Sequence, residues 1–182
     1  MDYRTDALRG LLMSEDGLAS NNRWLVILPP INGKSKVGGG SCGNYNTNDL
    51  NLMCTSARIP GKQIQTIERR VGVVGTKVAV GFEPGEAAFT FYLTHKYTAR
   101  KYFQDWMDRV ISRQPPYDVG FFDDYKEDVL VQQQDKTGTH VAITKLKDCY
   151  PVNVSEIELN NQAQQAAVEL TVTIAYKDYE LT

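Results

Sequence analysis

The chain has 182 residues, enough for one domain or two small ones. A single domain of that size buries a core without a disulfide or metal staple. Hydrophobic residues are 42% and charged residues 23%, an ordinary globular balance. The 20 basic and 22 acidic residues give a net charge of -2. That excludes a strongly basic nucleic-acid binder, but not a protein that encloses nucleic acid without gripping it.

No apolar run approaches the ~18 residues needed to span a bilayer. Residues Met1 to Gly10 are charged and lack the basic start and apolar centre of a secretory signal. The expectation is a protein that is neither integral to a membrane nor exported. Cys42, Cys54 and Cys149 are an odd number without CxxC spacing, so free thiols in a reducing compartment are expected. His95 and His140 fall in different segments without partners at metal-ligand spacing. No motif orders a nucleophile, base and acid. No metal, cofactor or catalytic residue is therefore expected. The run Gly38-Gly39-Gly40-Ser41-Cys42-Gly43 lacks the Lys-Ser/Thr of a phosphate loop and reads as a flexible surface loop. Asp123-Asp124 and Glu127-Asp128 surround Tyr125 without the alternation of a calcium loop, and read as a solvated turn.

Ala7, Leu8, Leu11 and Leu12 recur at helical spacing and predict a short amphipathic N-terminal helix. Arg23 to Leu28 predicts a strand, closed by Pro29-Pro30. Residues 31–48 form a polar, insertion-like loop, too long for a simple turn. Leu50 to Ala57 reads as a strand stopped by Pro60-Gly61, with Cys54 a buried structural thiol. Gln63 to Arg70 and Thr76 to Phe82 predict a long hairpin. In its second strand, Thr76, Val78, Val80 and Phe82 alternate with small or polar residues, the pattern of one covered face. The hairpin tip, around Arg69 to Thr76, carries Val71, Val73 and Val74. An exposed tip with that many valines suggests an association surface.

Ala88 to Thr94 is a further strand. Ala99, Tyr102, Phe103, Trp106 and Val110 then form a helical stripe that packs on a sheet, with Thr98 as N-cap and Pro115-Pro116 blocking continuation. The opposite face carries Arg100, Lys101, Gln104, Asp105 and Asp108. Asp128 to Gln134 and Thr139 to Leu146 flank a short turn ending at Gly138. Tyr150-Pro151 predicts a corner, Val154 to Asn160 a strand, and Asn161 to Gln165 a polar turn. Val168 to Tyr176 is the clearest alternation in the chain. The fold class is mainly β, a sandwich or barrel with one flanking α-helix. The organisation is a 1–20 N-terminal arm followed by a single β domain over 21–182.

An ordered set of motifs then resembles a known family. Asn21-Asn22-Arg23-Trp24 leads into the first strand. Met53-Cys54-Thr55-Ser56-Ala57-Arg58-Ile59-Pro60-Gly61 is a Cys-containing strand ending in Pro-Gly. Phe89-Thr90-Phe91-Tyr92 is followed by Ala99-Arg100-Lys101-Tyr102-Phe103-Gln104-Asp105-Trp106. Cys149-Tyr150-Pro151-Val152-Asn153-Val154 and the strand through Ala175-Tyr176 complete the set. Together these resemble the tail tube proteins of contractile-tailed, T4-like bacteriophages, including the related baseplate tube initiators. The same fold recurs in pyocins and type VI secretion systems. The insertion-like loop Ile31 to Asn48 and the extended N-terminus depart from the pattern.

The resemblance implies homohexameric rings that stack into the inner tube of a virion tail, assembled in the host cytoplasm, with each subunit giving strands to a shared inner barrel. Four strands from each of six subunits make about 24. At ~4.8 Å spacing and ~40° tilt, the backbone diameter is roughly 48 Å, wide enough for a DNA duplex. Implied partners are the sheath, the baseplate hub or initiator and the tail terminator, with DNA passing unbound during ejection and no membrane involved. A near-neutral chain suits such passage, because each Lys or Arg contact would hold phosphate. Candidate inter-subunit contacts are Val71, Val73, Val74, Leu8, Leu11 and Leu12. Candidate lumen residues are Lys77, Ala79, Gln63 and Gln65, with Arg69 at the lumen or rim. A β-rich enzyme or carbohydrate-binding module is the alternative of a different class, supported by Trp24, Trp106 and 10 tyrosines.

Overall fold

The computed structural model describes residues 22–59, 61, 63–71, 74–83, 85–113, 115, 117–135, 138–157 and 167–182. The N-terminal helix expected around Leu8, Leu11 and Leu12, Val73 of the hairpin tip and the turn Asn161 to Gln165 lie outside these residues. In chain order the elements are β1 (Trp24–Ile27), α1 (Thr47–Leu52), β2 (Cys54–Ala57), β3 (Gln63–Val71), β4 (Val74–Glu83), β5 (Glu86–Tyr92), α2 (Thr98–Val110), α3 (Phe122–Tyr125), β6 (Glu127–Gln134), β7 (His140–Val154), β8 (Glu169–Ala175) and β9 (Asp178–Leu181).

The main sheet runs in the order β1-β6-β7-β8-β5-β2, with β9 also beside β7. β7 is the hinge of this sheet. Thr144 lies opposite Leu181, Lys147 opposite Asp178 and Tyr150 opposite Ala175, so β9 and β8 act as one bent strand along it. The bend falls at Asp148, whose φ is 52°. Burial changes parity there: Thr144 and Leu146 are buried before it, Cys149 and Pro151 after it. One inserted residue thus turns the strand over and lets it serve both halves of the fold. The corner expected at Tyr150-Pro151 therefore occurs earlier, and the strand continues through the proline. Pro151 has no N–H to give, and it sits past the end of the β6 ladder, which stops at Cys149.

Alternation fills the core. Leu170, Val172 and Ile174 of β8, Phe89 and Phe91 of β5, and Val129 and Val131 of β6 are all buried. α2 lies against β7 and β8 through Tyr102, Phe103 and Trp106, all fully buried. The ring centroids of Tyr102 and Phe103 lie 5.0 Å apart, edge to face, and those of Phe91 and Phe103 are 5.2 Å apart. The polar tips are satisfied: the Tyr102 hydroxyl donates to the Pro29 carbonyl at 2.6 Å, and the Trp106 Nε1–H to the Tyr125 carbonyl at 2.9 Å. Trp106 is thus a core residue, which removes the main support for an aromatic binding platform.

Several local expectations are corrected. The stretch Leu50 to Ala57 is helix and strand in succession. The Asn46 side chain accepts from the Asn48 N–H and starts α1, whose buried Asn51 receives the Leu28 N–H at 3.0 Å. Thr98 is the first helical residue of α2, while the capping position is Tyr97 with φ 54° and no side-chain cap bond. α2 also stops at Val110, before the prolines, because Ile111 turns extended and bridges to Val119. Of the strand expected over Val154 to Asn160, Val154 is the end of β7 and residues 155–157 are not strand, while residues 158–160 lie outside the described residues. All three cysteines are free thiols, with Cys54 half-buried rather than buried.

Candidate assembly surfaces

β3 and β4 pair only with each other, in a two-stranded sheet separate from the main one. A ribbon of two strands is marginal alone in water. This one leaves both faces uncovered: Ile64, Ile67, Val78 and Val80 are 61%, 59%, 43% and 59% exposed. Among the described residues these side chains of β3 and β4 stay exposed on both faces, so no described element supplies the one covered face that the sequence pattern led us to expect.

Register decides which side chains share a face. Gln65 lies opposite Gly81, but Thr66 lies opposite Ala79, so Val80 is an extra residue in β4. This bulge breaks the alternation read from Thr76 to Phe82. One face carries Ile64 opposite Phe82, then Thr66 opposite Ala79, Glu68 opposite Lys77 and Arg70 opposite Gly75. The other carries Gln65 opposite Gly81, Ile67 opposite Val78 and Arg69 opposite Thr76. From Thr66 outward the first face is wholly polar or small, and the second holds an Ile-Val pair at its centre. The lumen candidates are therefore divided: Lys77 and Ala79 lie on the polar face, Gln63 and Gln65 on the other. Among the association candidates, Val71 and Val74 close the ladder at the tip.

The loop over residues 31–48 is the second feature, and it is docked on the domain. The helix face expected to meet solvent at Asp105 and Asp108 is where it sits. Asp105 receives the Lys36 ammonium at 2.6 Å, the Gly43 N–H at 2.8 Å and the Tyr45 hydroxyl at 2.7 Å. The Val37 N–H donates to the Asp108 carbonyl at 3.1 Å. Ile31 and Cys42 are buried beneath it. The glycine run makes the tight return: Gly38, Gly39 and Gly40 all have positive φ, and the Lys36 N–H reaches the Gly40 carbonyl at 3.1 Å. Burial alone would raise the Asp105 carboxyl, but the Gly43, Lys36 and Tyr45 donors outweigh it and hold the carboxyl below the ordinary carboxylate range. Arg109, also unforeseen, is buried on the next turn and pairs with Glu127 at 3.0 Å.

A third surface follows α2. Ile111, Tyr117, Val119 and Phe121 are exposed, Phe121 to 83%. Of the acidic cluster expected as a solvated turn, Asp123 is exposed and ion-paired to Lys126 at 2.7 Å, but Glu127 and Asp128 open β6, and Glu127 is mostly buried against Arg109 and Lys34. Among the described residues, no group of His, Cys, Asp or Glu side chains is placed to hold a metal ion.

Comparison with known proteins places these surfaces in a family. The family model described as phage tail tube protein matches residues 19–182. The chain belongs to the phage tail tube protein family. It is a structural tail tube protein and not an enzyme. Solved structures share its fold. The extended sheath-tube complex of the extracellular contractile injection system PVC contains a chain with TM-score 0.59 and 12% identity, over 91% of each chain. The tube-terminating cap of the anti-feeding prophage gives 0.62 and 12%, again over 91% of each chain. The PVC sheath/tube terminator gives 0.60 and 14%, over 91% of this tube protein and 96% of that chain. No curated protein matches the sequence.

Proposed function

We propose that this tube protein assembles as stacked hexameric rings around a channel through which DNA leaves a phage particle, with β3–β4 completing a shared inner barrel. The carrying observation is the unpaired ribbon, whose apolar side chains lie in water on both faces. Pairing with neighbouring copies would satisfy both open edges and cover the Ile67–Val78 face. Covering Ile67 and Val78 contributes roughly 2 kcal/mol per hairpin, at about 1 kcal/mol for each half-exposed side chain. A ring needs two unlike surfaces on each subunit. The Ile111 to Phe121 segment supplies a second apolar one. The hairpin tip with Val71, Val73 and Val74, and an arm with Leu8, Leu11 and Leu12, are further contacts in this reading. The polar hairpin face, with Lys77 and Ala79, is assigned to the lumen, and Gln63 and Gln65 to the packing side.

The relatives in fold are a sheath-tube complex, a tube cap and a sheath/tube terminator. They support sheath and tube-end proteins as partners of this chain. Negative-stain microscopy over a concentration series tests the proposal. Wild-type protein forms hollow tubes of uniform width. Ile67→Asp buries an unpaired carboxylate at the interface and raises the assembly concentration about 100-fold or more, with the monomer folded. Normal tubes from Ile67→Asp would refute the role of the hairpin. Wild-type rings that never elongate would replace the repeating subunit with an initiator or adaptor ring.

A further inference from the structure

On the polar face of the hairpin, one acid stands among two bases. Glu68 pairs with Arg70 at 3.2 Å and lies directly opposite Lys77 in the ladder. Gly75 faces Arg70, and the Glu68 carboxyl fills the space beside Gly75 that a Cβ there would occupy, so a side chain at 75 would push the carboxyl aside. The side chains of Glu68 and Arg70 are 51% and 74% exposed. An ion pair so open contributes little to stability. Its effect is on the field the face presents. From Thr66 to Gly75 the face carries Glu68 against Arg70 and Lys77, one acid and two bases. Losing Glu68 would double the uncompensated positive charge, and a ring multiplies the difference by its number of subunits.

We propose that Glu68 is a charge mask for the channel, drawing Arg70 aside so that a polyanion such as duplex DNA slides past without being held. This rests on the reading that the polar face lines the lumen. Duplex DNA carries a charge every ~1.7 Å, and each cation that engages phosphate adds about one unit to the salt dependence of binding. A channel lined by free Arg70 and Lys77 would therefore act as a brake at low salt.

The test uses tubes assembled with a short fluorescent duplex, then sedimented across a salt series. Glu68→Gln tubes retain more DNA than wild type at ~50 mM salt and lose it steeply by ~200 mM. Glu68→Gln with Arg70→Gln returns to wild-type retention, because the unmasked cation is gone. If Glu68→Gln does not assemble, Arg70→Gln alone carries the test: a masked Arg70 leaves retention near wild type, and a large loss of retention overturns the mask. The location is tested separately with Ala79→Cys, labelled by a maleimide on a polymer too wide to enter the channel, against a wild-type control. Protection in tubes but not in free subunits supports a luminal face, and equal labelling overturns that reading. Protection at Ala79→Cys with unchanged DNA retention in Glu68→Gln would overturn the charge mask alone.

Discussion

Replacing Asp105 by Asn tests how the 31–48 loop is held. The substitution keeps the side chain's size and removes its charge. Asp105 meets three donors, from Lys36, Gly43 and Tyr45, at 2.6–2.8 Å. An asparagine has one accepting oxygen, and its amide turns a donor toward the others. The loss is about 2–3 kcal/mol, since bonds to a half-buried charge contribute roughly 1 kcal/mol each and an orphaned donor adds a penalty. For a chain of this size that lowers Tm by roughly 5–10 °C. Hydrogen exchange localises the effect, with the amides of Val37, Cys42 and Gly43 losing protection first. Acid gives a second signature. The folded carboxyl titrates below its unfolded value of about 3.9. Its stabilisation is therefore complete above that value and is lost as pH falls through the folded pKa. Asp105→Asn lacks this part of the acid limb, although Asp128, also held low, keeps some of it. A Tm within about 1 °C of wild type, with loop amides still protected, would refute the idea that Asp105 fastens the loop.

Two further outcomes follow from burial. Trp106→Ala removes the largest fully buried side chain and costs about 3–5 kcal/mol by urea unfolding, whereas an exposed binding tryptophan would cost little. Burial pushes the thiols of Cys54 and Cys149 up to about 12 and also raises that of Cys42, so native protein resists iodoacetamide at pH ~8 and reacts only when unfolded; fast native alkylation would contradict the packing.

What the sequence disclosed depended on how local its cause was. β8 was legible because alternation is a property of neighbours: Leu170, Val172 and Ile174 are buried where that pattern places them. The aromatic stripe of α2 was legible for the same reason. α1 was not, because Leu50, Leu52 and Met53 continue directly into the apolar start of β2, and the deciding feature is one Asn46 side chain at the cap. The docked loop was illegible because Asp105 lies 60 residues or more from each of its partners, and an acid on a helix face ordinarily meets solvent. The bulge at Val80 was illegible in kind. Alternation along β4 is visible in one strand, but the inserted residue exists only relative to β3, and it moves Gly81 and Phe82 to faces that the pattern did not assign.

A reconstruction of assembled tubes at side-chain resolution tests the place of the hairpin most directly. The proposed assembly puts β3–β4 in the inner wall, paired at both edges with strands of neighbouring subunits, with Lys77 and Ala79 toward the axis. Hairpins splayed on the outer surface, or an inner wall built without them, would contradict it.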